Sequence, residues 1–377
     1  MATSNDRRSF LSKLTFGVTA LLTWPFTGNT HDIKEAKPSK RTIKKTRALG
    51  FQWDTADPFL FCVHHEDKFP KGSQNMGPAK DYLRGREMGN DFIIKDGFRM
   101  YHGEQVPGFP GHPHRGFETI TIVREGLVDH ADSLGAAGRY GNGDVQWMTA
   151  GNGVQHSEMF PLLNQDKDNP LELFQVWLNL PRKSKKVDAH FKMLWQDEVP
   201  KYTTRDQAGN KIKVEVIAGK LGDKSAPAPP PDSWANDPEN EVAIFNIHLN
   251  HNAEWTLPKA SPGLNRTLYF YVGKSITIAG KEISRYHAIE VQSDEDLVIK
   301  NHNHISRILM LQGKPIDEPV IQYGPFVMNT KQEIQQAFKD YQNTKFGGWP
   351  WPKRDLVHDR NEGRFARHAD GRIERKG

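Results

Sequence analysis

Cysteine is almost missing from this chain, with one, Cys62, among 377 residues. A lone thiol excludes an intrachain disulfide framework, a thiolate zinc cluster and a CxxC redox pair. Set in the apolar run Phe59–Val63, it reads as a core residue. Also absent is any run of about 18 apolar residues, which excludes a polytopic helical membrane protein. A one-sided charge is missing from the body. The formal net charge is +5, but basic residues crowd into Lys34–Arg47 and into the stretch from Lys353 to Lys376. Without them the body is close to neutral, so no nucleic-acid partner is expected and both basic stretches read as solvated tails. What is plentiful points elsewhere. Twenty Phe and nine Trp exclude disorder throughout, and 32 Gly with 24 Pro favour short strands joined by turns.

The first thirty residues read as an address. Arg7-Arg8-Ser9-Phe10-Leu11 precedes an apolar run from Leu14 to Phe26 that is too short to span a bilayer. The paired arginines look like a twin-arginine signal, which exports folded proteins. The expected location is the periplasm and the expected partner the twin-arginine export machinery; a cytoplasmic protein is the alternative. Trp24–Asn29 offers no clean small-residue cleavage site. Residues 31–48 read as a basic linker.

The body reads as all-β. Short apolar or alternating runs recur at 8–15-residue spacing, first at Phe59–Val63, Phe117–Val123, Val145–Met148 and Leu171–Leu180. A second series runs from Val214–Ile217 to Arg307–Leu311, interrupted by a proline-rich loop between Gly222 and Asn240. This pattern suits sandwiches or barrels rather than alternating βα units. One helix is expected near the end, where Thr330 and Glu333 form a capping box ahead of Ile334, Ala337, Phe338 and Tyr341.

Candidate chemistry is concentrated in one place. His112-Pro-His114 is followed 42 residues later by His156-Ser-Glu158. Residues two apart on a strand share a face, so each pair can aim both side chains at one point. Three imidazoles and a carboxylate suit Fe(II), Mn, Ni, Cu(II) or Zn, and leave coordination positions for a ligand. His302-Asn-His304 repeats the spacing without a following His-x-Glu, and reads as a hairpin loop.

The strings Gly108-Phe-Pro-Gly-His112-Pro-His114-Arg-Gly-Phe-Glu-Thr and Gly143-Asp-Val-Gln-Trp-Met-Thr-Ala-Gly-Asn-Gly153-Val-Gln-His156-Ser-Glu158 resemble the metal motifs of the pirin family of bicupins. The similarity continues through Leu173–Pro181 and Gly324–Thr330 and covers roughly residues 50–345. It implies two stacked cupin barrels: a metal-binding one at 49–185, with iron held by His112, His114, His156 and Glu158, and a metal-free one at 205–320. A segment with the helix (324–345) and a basic tail (346–377) would follow. Members are described as quercetin 2,3-dioxygenases or as metal-dependent regulators. By resemblance, then, this is a monomeric oxidoreductase acting on a small phenolic substrate with O2, Glu158 serving as base. The alternative is a non-catalytic interaction protein, and a deep pocket over the metal would favour the enzyme. Other cupins take a glutamate at the position of Glu118 as ligand, which makes Glu118 a rival that the resemblance assigns to structure. Arg115 is expected either to pair with Glu118 or to fix its loop.

Overall fold

The computed structural model describes residues 42–377, so the twin-arginine reading lies outside the described residues. Strands dominate and every pairing between them is antiparallel. The first half is built from two six-stranded sheets. One is ordered His190–Leu194, Val145–Thr149, Phe117–Glu125, Asn169–Asn179, Phe59–Phe69, Gln52–Trp53. The other is ordered Ile373–Lys376, Arg364–Arg367, Ala137–Gly141, Leu127–Asp132, Val154–Met159, Gly108–His114. The second half pairs a seven-stranded sheet with a four-stranded one.

Strand alternation explains how these layers stack. In Asn169–Asn179, Phe174, Val176 and Leu178 face the second half, while Leu173, Gln175 and Trp177 face the interior of the first. In Asn265–Val272, Leu268 and Phe270 fill the second barrel, and Tyr269 and Tyr271 face back. The two barrels therefore share a core in which Trp53, Trp147 and Phe174 meet Ile244, Tyr269 and Leu309. Cys62 is fully buried in that layer, and burial pushes its thiol up, away from the reactive thiolate.

Both basic segments depart from the solvated reading where they are described. Ile43–Ala48 is an edge strand of the seven-stranded sheet, paired with His287–Val291. The C-terminal stretch adds the hairpin Arg364–Lys376 to the first barrel beside Ala137–Gly141. Part of its positive charge is paired locally. Arg364 bonds Asp144 at 2.9 Å, and buried Arg139, paired with Asp129 at 2.7 Å, donates to the carbonyls of His358 and Asp359. Composition alone carries no trace of these partners, because they lie some 220 residues away.

The helix Lys331–Thr344 forms as expected, with Thr330 accepting from the Glu333 N–H at 3.2 Å. Its apolar face packs on Phe326 and Phe346. Its other contact is at the loops behind the histidines, where Arg115 bonds Asp340 and the Asn152 carbonyl, both at 2.6 Å. Arg115 thus fixes its loop and does not pair with Glu118.

Candidate metal centre

Gly108–His114 pairs with Val154–Met159, and His112 stands directly opposite His156. Gly108 makes this possible. It adopts φ +132°, and a Cβ there would lie 2.7 Å from the Met159 Cα and against the Glu158 carbonyl. The result is a group of three histidines, His112, His114 and His156, with one ring nitrogen from each within 4.8 Å of the others. Their ring centroids are 4.5–4.9 Å apart.

The electrostatics favour neutral imidazoles. Burial lowers His112 to about 4, partly opposed by its bond to the Pro110 carbonyl, and burial drives His114 and His156 well below the usual range. The Pro110 carbonyl can only accept, so His112 Nδ1 carries the proton and Nε2 keeps its lone pair. His114 Nδ1 and both ring nitrogens of His156 are buried without a hydrogen-bond partner. Buried polar atoms are rarely left so, and a cation could take one lone pair from each of the three imidazoles at once.

Glu158 faces the same space, its Oε2 3.9 Å from His156 Nε2. It stands outside the tight three-histidine group, because Gln175 Nε2 donates to Oε2 at 3.0 Å and Thr121 Oγ1 lies 2.8 Å from Oε1. Burial raises its carboxyl above the ordinary value. Glu118 is on the opposite face of its strand, beside Ile120 and Ile122, and is bonded to Thr149 at 2.6 Å and Ser233 at 2.5 Å. Strand alternation alone removes it from the histidines.

Above the histidines opens a cavity of about 220 Å³, walled by Phe61, Phe92, Phe109, Phe160 and Trp177, with His112, His114 and Glu158 among its polar groups. A larger groove of about 550 Å³ beside Leu127 and Lys167 lies away from them. Four features escape a reading by motif. His130 sits opposite Glu158, stacked on Phe191, its centroid 5.5 Å from His156. Its His130-x-Asp132 spacing was visible but unremarkable among sixteen histidines. Thr121 and Gln175 are single polar positions inside apolar strands, and only register identifies them. The segment 70–107 contributes Phe92 to the cavity wall. In the second half, His248 bonds Asn246 at 3.1 Å, and His302 lies in a loop against Thr277 at 3.2 Å.

Two antiparallel barrels with a shared core and a histidine cluster inside the first define a two-domain cupin with a candidate metal centre. The comparisons make this specific. Residues 42–178 match the family Pirin, and residues 244–347 match the Pirin C-terminal cupin domain. The chain belongs to the pirin family. A Pseudomonas aeruginosa protein named "Putative quercetin 2,3-dioxygenase" is 37% identical over 256 residues, covering 67% of this chain and 85% of that one. Pirin from Homo sapiens is 33% identical over 263 residues, covering 68% and 82%. A crystal structure of quercetin 2,3-dioxygenase from Acinetobacter baumannii shares the fold, with a TM-score of 0.64 at 24% identity over 82% of this chain and 99% of that one.

Proposed function

We propose that the protein is an iron-dependent dioxygenase of hydroxylated aromatic compounds, with His112, His114, His156 and Glu158 as metal ligands. The observation that carries this reading is the set of three neutral histidines, with orphaned ring nitrogens on His114 and His156, beneath an aromatic-walled cavity. A flat surface would have suited an interaction protein better; a cavity suits a small flat molecule. The name of the Pseudomonas relative supports the same substrate class. Export by the twin-arginine route is part of the proposal and rests on Arg7-Arg8-Ser-Phe-Leu.

Bound iron would supply a Lewis acid for a phenolate and one-electron chemistry toward O2. The chain's own residues do the rest. Phe61, Trp177 and Phe109 hold the ring system and exclude water. Glu158 accepts the phenolic proton, and its hydrogen bonds are arranged to tolerate the change. Thr121 has one hydroxyl proton and two acceptors in reach, Glu158 Oε1 at 2.8 Å and Gln175 Oε1 at 2.5 Å. With Glu158 ionised, Thr121 donates to it. With a proton on Oε1, Glu158 donates to Thr121, which turns to Gln175. Proton uptake therefore strands no buried donor.

The test is oxygen uptake by iron-loaded protein, prepared anaerobically, with quercetin and simpler phenols. His112→Ala should lose the metal while keeping its circular dichroism. Glu158→Gln should keep metal, since an oxygen ligand remains, and lose turnover at least about 100-fold, within the usual contribution of a positioned base. No oxygen uptake by iron-loaded wild type across the phenols would overturn the reading.

A further inference from the structure

A second polar group faces the cavity from the wall formed by Phe59–Phe69. Phe61, Val63 and His65 alternate inward along this strand and line the cavity. We propose that His65 is a specificity-determining residue whose Nε2 accepts a hydrogen bond from a hydroxyl on the far edge of the aromatic ligand. This rests on the reading of the cavity as a site for hydroxylated aromatics, and extends it to a second recognition point away from the histidine cluster.

The argument is hydrogen-bond accounting at Tyr101. Its hydroxyl has one proton and two lone pairs, and three partners surround it: Asp67 Oδ2 at 2.5 Å, Arg99 Nη1 at 2.8 Å and His65 Nδ1 at 2.8 Å. Arg99 can only donate, so it fills one lone pair. Asp67 also accepts the Arg99 backbone N–H at 2.9 Å; burial raises its carboxyl, and the Arg99 guanidinium opposes this only in part. As the carboxylate paired with Arg99, it takes the phenolic proton. The remaining lone pair must be filled by His65, so Nδ1 carries hydrogen and Nε2 does not. Burial, with Arg99 and His64 as further causes, lowers His65 to about 3, which keeps the ring neutral across the physiological range. The chain Asp67–Tyr101–His65 therefore presents a permanent acceptor at the cavity wall.

What such an acceptor selects follows from its surroundings. The His65 ring lies 6.0 Å from Phe109 and 5.9 Å from Phe51, so the partner arrives on a flat apolar body. It must also donate, which a hydroxyl does and a carboxylate, ketone or ether does not. His65 is paired with Leu173, while Gln175, which holds Glu158, is paired with Val63. Two residues along a strand separate these levels by about 7 Å. A hydroxyl met by His65 is thus a different group from the one near the metal ligands. None of the four residues in this chain of bonds hydrogen-bonds His112, His114 or His156, so conservative changes to them should leave no mark on the metal site.

The experiment measures anaerobic binding of quercetin and of flavone, the same skeleton without hydroxyls, to the full metal-loaded chain. His65→Phe should weaken quercetin about tenfold or more, the scale of one buried hydrogen bond, and leave flavone and metal content unchanged. His65→Gln, which can place an amide oxygen near the Nε2 position, should recover part of the loss. Tyr101→Phe frees the tautomer and should weaken quercetin selectively by a smaller factor; it answers the question if His65→Phe does not fold. Equal loss for both ligands, loss for neither, or a wild type that binds neither or does not prefer quercetin would overturn the inference. Oxygen uptake separates it from the dioxygenase reading. Selective His65-dependent binding without uptake would sink the reaction and keep the residue; uptake with an unchanged KM in His65→Phe would do the reverse.

Discussion

Two buried glutamates, 40 residues apart in the chain, show how little residue type says about role. Glu158 faces three imidazoles, and Glu118 faces the layer between the barrels, bonded to Thr149 and the Ser233 hydroxyl of the proline-rich loop. Burial raises Glu118 from an ordinary 4.5 to about 7, only partly opposed by the Ser233 and Thr149 hydroxyls. Between these values the folded protein binds more protons than the unfolded chain. Its stabilising contribution is full below pH 4.5 and is lost as pH rises through 7. Glu118→Gln, which cannot ionise, should therefore stabilise the protein at pH 8 by up to about 3 kcal/mol relative to its effect at pH 5. Urea unfolding of both proteins at the two pH values checks this. An equal difference at pH 5 and pH 8 would show that Glu118 does not titrate in this range.

At the scale of the element, the centre depends on how closely two short strands approach. The ladder between Gly108–His114 and Val154–Met159 shifts register between Phe109 and His112, and this irregularity brings His112 opposite His156. Gly108→Ala would force a Cβ into the Glu158–Met159 backbone at a φ that L residues avoid. The expected cost is about 1–3 kcal/mol, the range for overpacking. Because the two strands carry the histidines, metal occupancy should fall as well. Thermal melts with and without added metal would show both effects, and a variant with wild-type occupancy would mean that the strands can part without disturbing the histidines. The C-terminal stretch braces this region: Arg354 bonds Gln155 of Val154–Met159 at 2.9 Å, and Trp351 donates at 2.7 Å to the carbonyl of Asp132 on the neighbouring strand.

Over the whole molecule, the shared layer makes the two barrels one thermodynamic unit. Residues 42–200 alone would expose Ile120, Ile122, Trp147 and Phe174, which the second half covers. That fragment should aggregate, whereas the full chain should unfold in a single transition by calorimetry and by fluorescence. Two separate transitions would mean that the layer does not couple the halves. The address is testable on its own. Replacing Arg7 and Arg8 by Lys should hold the protein in the cytoplasm, as cell fractionation would show.

The sequence by itself determined the class of fold and the identity of the histidines. Alternation, turn residues and the His-x-His and His-x-Glu spacings are local, and a strand's period of two carries a shared face directly from sequence to space. The helix at Lys331–Thr344 was legible for the same reason, since its cap and apolar stripe lie within one segment. Register, and everything that depends on it, was decided only by the tertiary structure. Glu118 and Glu158 are both plausible ligands until the parity of Phe117–Glu125 turns one away. Arg115 found Asp340, 225 residues on, and the basic C-terminal stretch is held to the first barrel where Arg364 pairs with Asp144 and the His358 N–H donates to Asp129. Thr121, Gln175, His65 and Tyr101 belong to no motif that marks them. Their meaning lies in the partners across the sheet, and only the folded chain brings those partners within hydrogen-bond reach.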